Sequence, residues 1–432
     1  MTKIKTVTGR RIWDSRGNPT VEVDVILENG KLGRAAAPAG ASRGTHEAMD
    51  LRDGGASLQG KDVGKAISNV NGPIEAALRG QNVTDQAELD RLLLELDGSL
   101  LKSEIGGNAM VAASLATLHA AAADAGKPLW RQVADSYGRT PSLPLPEIQI
   151  FGGGAHAGRR VDIQDFMIMV PGASCFDEVM EVTSEVYFAA GDIMAQRGNL
   201  AGVADEGGWW PVFRSNEEAL ETLVAAIEKA GEKPGDRVVL SLDIAASEFG
   251  ENGTYALALE DRKLDSEALI DLLGGWLDAY PIVSIEDPVG EDDTAGMIEF
   301  TKRFGERVQI IGDDYVVTNA ALVREAAKNN ACNAALIKVN QAGTVTEAIE
   351  ALSTAQNAGW TTVVSARSGE TEDVSISHLS VGLGSGQLKV GSFQRSERMV
   401  KWNECLRIQE ELGSEAFVAG DPLKATWWGK HE

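Results

Sequence analysis

Four ionisable residues stand at the ends of short apolar runs, and each is of a type that can do chemistry. Asp243 closes Val238-Val239-Leu240-Ser241-Leu242, Glu286 closes Pro281-Ile282-Val283-Ser284-Ile285, and Asp313 closes Val308-Gln309-Ile310-Ile311-Gly312. Lys338 ends Ala334-Ala335-Leu336-Ile337. Runs this short and this apolar read as buried strands. An ammonium at the tip of a core strand loses hydration, which is expected to lower its pKa and makes it a candidate base. The competing reading is a lysine that snorkels to the surface as its strand ends. The acids weigh against it, because three carboxylates converging on a dry site cannot all stay ionised without a cation. Oxygen-only ligation favours Mg2+, which keeps some waters and binds substrate oxygens. One acid at a strand end could merely cap the next helix; three, with a lysine one strand later, point to a metal site with a base beside it.

Those side chains need a scaffold that gathers strand ends. Thr361–Ser365 and Gly386–Lys389 read as fifth and sixth strands, with helical segments between most of the six. One such helix is announced by a capping box, Ser215 with Glu218; Leu220, Leu223, Val224 and Ile227 give its buried face, and Gly231 ends it. Repeated strand–helix units over residues 139–432 predict an α/β fold with a (β/α)-barrel, whose chemistry gathers at the carboxyl ends of the strands. A doubly wound open sheet is the alternative, but no glycine-rich phosphate fingerprint follows any strand. The earlier part of the chain has another rhythm. Val21, Val23, Val25 and Leu27 alternate with polar or small neighbours as in a half-buried strand, and Asn29-Gly30 predicts a hairpin turn with positive φ at both residues. Asp85 and Glu88 then cap a helix with the stripe Leu89, Leu92, Leu93, Leu96. Residues 1–138 are therefore expected to form a smaller α+β domain, a meander followed by helices. The proline-stiffened stretch Thr140-Pro141-Ser142-Leu143-Pro144-Leu145-Pro146 joins it to the barrel.

Composition narrows the partners. The formal net charge is -24, which argues against nucleic acid or an anionic membrane as partner and requires that any anionic substrate be met by local cations. A 43% hydrophobic content supports a sizeable core over a length that makes two domains the default. Cys175, Cys332 and Cys405 lack metal-type spacing and fit a reducing cytoplasm. Met1-Thr2-Lys3-Ile4 opens no apolar signal region. Ala109–Ala123 is alanine-rich but short and interrupted by Ser114, Thr117 and His119, so it reads as a buried helix, not a membrane span.

Over nearly its whole length the chain resembles the enolase (phosphopyruvate hydratase) family. The stretches that carry the resemblance are Asp14-Ser15-Arg16-Gly17-Asn18-Pro19-Thr20-Val21-Glu22, Asp205-Glu206-Gly207-Gly208, Ser284-Ile285-Glu286-Asp287, Gly312-Asp313-Asp314, Lys338-Val339-Asn340-Gln341, Arg367-Ser368-Gly369-Glu370-Thr371-Glu372-Asp373 and Arg395-Ser396-Glu397-Arg398. The resemblance implies an enolase-type barrel, two Mg2+ per site and a hydro-lyase reaction. Asp243, Glu286 and Asp313 would hold the first Mg2+ at the substrate carboxylate, and Lys338 would remove the α-proton; this lysine-and-Mg2+ pattern is the general one for the superfamily. Glu206 would protonate the departing β-hydroxyl, sharing a proton with Asp165. Lys389 would assist at the carboxylate, Arg367 and Ser368 would hold the phosphoryl group, and Gln164 and Arg43 would face the substrate. Ser42 would bind the second Mg2+, and His156 belongs to a closing loop. The implied partner is a small phospho- or phosphono-carboxylate, and the implied assembly a homodimer or an assembly of dimers, with Asp14, Arg16 and Glu22 serving that interface or the small domain's own fold.

The chain also departs from the family. The usual Ser-His-Arg-Ser-Gly is Ser365-Ala366-Arg367-Ser368-Gly369, a methyl for an active-site histidine, and Ser-Gly-Ala-Ser-Thr-Gly is Ala39-Gly40-Ala41-Ser42-Arg43-Gly44. Asn-Gly-Gly before the loop histidine is Gly152-Gly153-Gly154, and Asp165 replaces the usual glutamate. Trp209-Trp210 replace smaller residues, and Arg159 and Arg160 add charge to the His156 loop. Drift within an ordinary glycolytic enolase is one reading. A substrate larger and more anionic at phosphorus is another; the family offshoot that dehydrates 2-phosphonoformylglycerate to carboxyphosphonoenolpyruvate in phosphonate antibiotic synthesis fits that description. A non-catalytic binding protein is a third reading, disfavoured because drift would erase such costly buried charges first. A superfamily racemase is disfavoured because Lys338 lacks a Lys-x-Lys pairing.

Overall fold

The computed structural model describes residues 2–41 and 43–430. The chain opens with an antiparallel meander of β1 (Ile4–Trp13), β2 (Pro19–Leu27) and β3 (Leu32–Ala36). Val21, Val23, Val25 and Leu27 all face inward and are fully buried, as their alternation predicted. The turn after β2 differs from expectation: only Gly30 is left-handed (φ +83°), while Asn29 uses its side-chain oxygen to accept from Lys31 N at 3.1 Å. That Asx contact supports the turn without placing a second residue at positive φ. Asp85 caps the helix Gln86–Asp97 by accepting from Glu88 N. The alanine-rich helix Gly107–Ala125 is buried almost end to end and packs on β2 and β3. Gly33 makes the approach possible: a Cβ there would stand 2.2 Å from Ala116 O and Ala120 N. No helix among the described residues is long and apolar enough to cross a membrane.

The second part is a closed eight-stranded barrel. Its strands are β4 (Leu145–Gly152), β5 (Asp165–Met169), β6 (Val239–Asp243), β10 (Ile282–Glu286), β11 (Gln309–Gly312), β12 (Ala334–Ile337), β13 (Thr361–Ser365) and β14 (Gly386–Ser392). A small sheet of β7 (Gly250–Glu251), β8 (Thr254–Leu257) and β9 (Arg262–Asp265) interrupts the series after β6. The six strands read from the sequence are all present; β4 and β5 are additional. The stretch read wholly as a connection already contains the start of β4.

One feature departs from uniform strand–helix repetition. Between β4 and β5 there is only a short loop with a 3-10 turn at Gly154–Ala157, so β5 runs antiparallel to both neighbours, β4 and β6. A reversed strand begins where the others end. Asp165, the first residue of β5, therefore stands in register with Asp243, the last of β6, and Asp243 in turn pairs with Glu286 at the end of β10. The β4–β5 loop, carrying His156, is thereby set at the carboxyl rim. Before β6 the helix Asn216–Lys229, capped by Ser215 and followed by left-handed Gly231, returns the chain to the opposite rim.

Candidate active site

At the carboxyl rim the strand ends deliver an interlocked set of charges. Lys389 of β14 lies at 2.9 Å from Asp243 Oδ2, 2.8 Å from Glu286 Oε2 and 3.6 Å from Asp165 Oδ2, with all four side chains buried. Burial disfavours the ammonium, but Asp243 and Glu286 hold its pKa well above the usual lysine value. Lys338, just beyond β12, contacts Asp313 Oδ2 at 2.5 Å. Here the structure corrects the sequence reading. Burial does act to lower the Lys338 pKa, but Asp313 outweighs it and the net shift is upward. An ammonium resting on a carboxylate is not a base, so the role assigned to Lys338 requires the charge of Asp313 to be engaged elsewhere.

Among the described residues, the tight carboxylate group at this end is Asp287, Asp313 and Asp314, which shares only Asp313 with the expected trio. Asp287 accepts from the backbone N–H groups of Asp313 at 3.0 Å and Asp314 at 2.8 Å, so it holds the turn rather than offering itself. Burial and Asp313 push it up to about 8. Asp243 and Glu286 instead share the Lys389 ammonium, and Asp313 pairs with Lys338. They nevertheless fit a hard divalent cation. All three offer oxygen, and Glu286 Oε1 is buried with no hydrogen-bond partner among the described residues. Burial and Asp243 raise the Glu286 pKa well above its usual range, the signature of a carboxylate short of positive charge. Ser42, expected at the second Mg2+, lies outside the described residues.

A second cluster faces the first. His156 Nδ1 lies 3.0 Å from Asp165 Oδ1, and its Nε2 lies 3.6 Å from Glu206 Oε1 and 3.2 Å from Ser368 Oγ. His156, Asp165 and Glu206 are close enough to suggest a metal centre. The ring opposes that, since its two nitrogens address different carboxylates and a metal would need one nitrogen facing both. Burial disfavours the imidazolium, yet Glu206 and Asp165 push His156 up to about 9. Burial raises Asp165 in turn, but His156 outweighs it and holds the acid at about 2. The expected proton shared between Asp165 and Glu206 is therefore not what the geometry provides: an imidazolium is wedged between them and Asp165 stays ionised.

Arg367, fully buried, donates through Nη1 to Glu47 Oε2 at 2.7 Å. Glu47 comes from the small domain and was not singled out by sequence reading, because a lone acid in a loop carries no periodic signal. Gln164 donates to Asp243 Oδ2 at 3.1 Å. Lys338, Glu206, His156, Gln164, Ser368 and Lys389 open, with Arg367 and Ala366, into one cavity of about 20 Å³. That is room for about one water, so a substrate requires the surrounding loops to part. Arg43 is exposed and does not line the cavity. Arg159 pairs at the surface with Glu248 at 2.8 Å, and Trp209 stacks on Tyr187 with ring centroids 4.8 Å apart; neither reaches the cavity.

The family model for the enolase N-terminal domain matches residues 4–133, and that for the enolase C-terminal TIM barrel domain matches residues 140–426. The chain belongs to the enolase family. Enolase-family membership brings Mg2+-dependent hydro-lyase chemistry with it, and the rim just described is where an enolase barrel carries that chemistry. Ala366 lies within this site, lining the cavity with its N–H donated to Lys389 O at 2.9 Å. The histidine-to-methyl exchange is thus a change of the site itself.

Proposed function

We propose that the chain dehydrates a 2-phosphoglycerate-type substrate to a phosphoenolpyruvate-type product. Lys338 Nζ takes the proton α to the carboxylate, and the C–H electron pair moves into that carboxylate. When bound, Mg2+ held by Asp243, Glu286 and Asp313 supplies the positive charge that makes a second negative charge there tolerable. Lys389 adds a fixed ammonium at the same end. Glu206 passes to the β-hydroxyl a proton that the His156 imidazolium, 3.6 Å away, supplies to it, so that the C–O bond breaks with water as leaving group while the C=C bond forms. His156 carries its positive charge beside Glu206 and Ser368. Arg367 and Ser368 receive the phosphoryl group, the guanidinium as a planar two-pronged donor. The observation that carries this reading is the single cavity into which base, acid and the phosphoryl-binding Arg367 and Ser368 all open. The three free thiols support a cytoplasmic location, and a homodimer or assembly of dimers is the assembly this reading includes, with domains at 1–138 and 139–432.

A second reading is favoured by Ala366. A methyl beside Arg367 and Ser368 leaves space at the phosphoryl end for a substituent that a histidine would displace, as in 2-phosphonoformylglycerate. The experiment is to compare kcat/KM for 2-phosphoglycerate and this larger ester in wild type and in Ala366→His with Arg43→Thr. The larger-substrate reading predicts that wild type prefers the ester and that the double variant shifts toward 2-phosphoglycerate. Ordinary enolase turnover by wild type with discrimination against the ester would refute it.

A further inference from the structure

Gln149 is fully buried on β4, lies outside the cavity, and has no part in the chemistry above. Both ends of its amide are nonetheless occupied. Nε2 donates to Asp165 Oδ1, the same oxygen that meets His156 Nδ1, and Oε1 accepts from Gly208 N at 2.9 Å. The carboxylate demands a donor and the N–H demands an acceptor, so the network fixes which way round the amide stands.

Gly208 follows Glu206 by two residues, on a loop tied to its surroundings by backbone bonds. Trp209 N donates to Ile150 O at 2.8 Å, and Asp205 N donates to His156 O at 3.0 Å. One side chain thus bridges the three pieces of chain that carry His156, Asp165 and Glu206. The space is made for it: a Cβ on residue 208 would stand 2.4 Å from Gln149 Oε1, so only glycine lets the amide reach that N–H.

We propose that Gln149 is a positioning residue, setting the separation of the Asp165–His156 couple from the Glu206 loop through its two-ended amide. It touches no reacting atom, and the assignment rests on the roles of Glu206 and His156 given above. Its reach is the summed length of two side chains. Gln149→Asn shortens that sum by one methylene, and Asp165→Glu, which puts back the family's usual residue, restores the Asp165 end while the Gly208 end stays broken.

The test is steady-state kinetics on wild type, Gln149→Asn, Gln149→Met, Gly208→Ala and the pair Gln149→Asn with Asp165→Glu, alongside 15N shifts of the His156 ring. Each single change is expected to lower kcat by about 10- to 100-fold, the usual effect of losing an orienting partner, with KM held within about threefold. The paired variant is expected to regain the wild-type ring shifts, which report the Asp165–His156 end, and to recover kcat only in part, exceeding Gln149→Asn alone. Gly208→Ala displaces the amide with Gln149 itself unchanged, its Cβ also standing 2.8 Å from Gly152 N at the last residue of β4. The ring shifts in this variant carry the test if the Gln149 variants do not fold. The ring shifts report the clamp without turnover, so a wild type inactive toward every substrate would overturn the reading of the site and leave the clamp measurable. Ring shifts unchanged in Gln149→Met, or a paired variant no better than Gln149→Asn alone, would overturn the assignment.

Discussion

Replacing Glu47 by glutamine tests how the two domains meet at the site. Glu47 is 3% exposed and receives Arg367 Nη1 at 2.7 Å, Gly44 N at 3.0 Å and Gln341 Nε2 at 3.2 Å. Glutamine keeps the shape but removes the charge and leaves one acceptor oxygen for three donors. Breaking a buried ion pair from one side costs roughly 3–5 kcal/mol, because the remaining charge stays desolvated. Asp313 and Asp314 also act on Arg367 and stay in place. The loss should therefore fall at the lower end, about 3 kcal/mol, or roughly a hundredfold in the folding equilibrium. Urea denaturation of the metal-free protein reads this directly. Inorganic phosphate should stabilise Glu47→Gln more than wild type, since it offers the uncovered guanidinium an anion of the kind it is assigned to bind. A loss below about 1 kcal/mol, the range of exposed pairs, with no extra effect of phosphate would refute the reasoning.

Two further outcomes follow from the same site. The His156 pKa of about 9 lies above the usual histidine value of 6.5, so its stabilising contribution is complete below that value and is lost as pH rises through 9. Asp165, held at about 2, contributes above its usual 3.8 and loses that contribution only as pH falls through 2. Stability should thus decline between pH 6.5 and 9 by about 3 kcal/mol, counting the pair once, and His156→Gln should flatten the slope of urea midpoint against pH. Mg2+ at about a hundredfold its dissociation constant should stabilise wild type by about 2.7 kcal/mol. Glu286→Gln should lose most of that gain, and a full gain in the variant would remove Glu286 from the ligand set.

Much of this site was legible because barrel chemistry concentrates at strand ends, and an ionic residue closing an apolar run is visible without any structure. Asp243, Glu286, Asp313 and Lys338 were found in that way. The strands β4 and β5 were not. In Leu145-Pro146-Glu147-Ile148-Gln149-Ile150-Phe151, one proline and two buried polar residues, Glu147 and Gln149, break the apolar run. Without β5 its reversal could not be foreseen, although the reversal is what brings Asp165 to the rim. Gln149 was invisible for the same reason, its only trace being a polar residue in step with Glu147. The upward shift of Lys338 could not be read from burial along the chain, since it depends on Asp313 arriving from a neighbouring strand.

Exchange of the α-proton with solvent deuterium isolates proton abstraction from every later step. With Mg2+ and either 2-phosphoglycerate or the larger ester, wild type should exchange it, and Lys338→Met should not, while Glu206→Gln should exchange but fail to eliminate. Equal exchange by wild type and Lys338→Met would contradict the assignment of the base, and no exchange by wild type on either substrate would leave a binding protein in place of an enzyme.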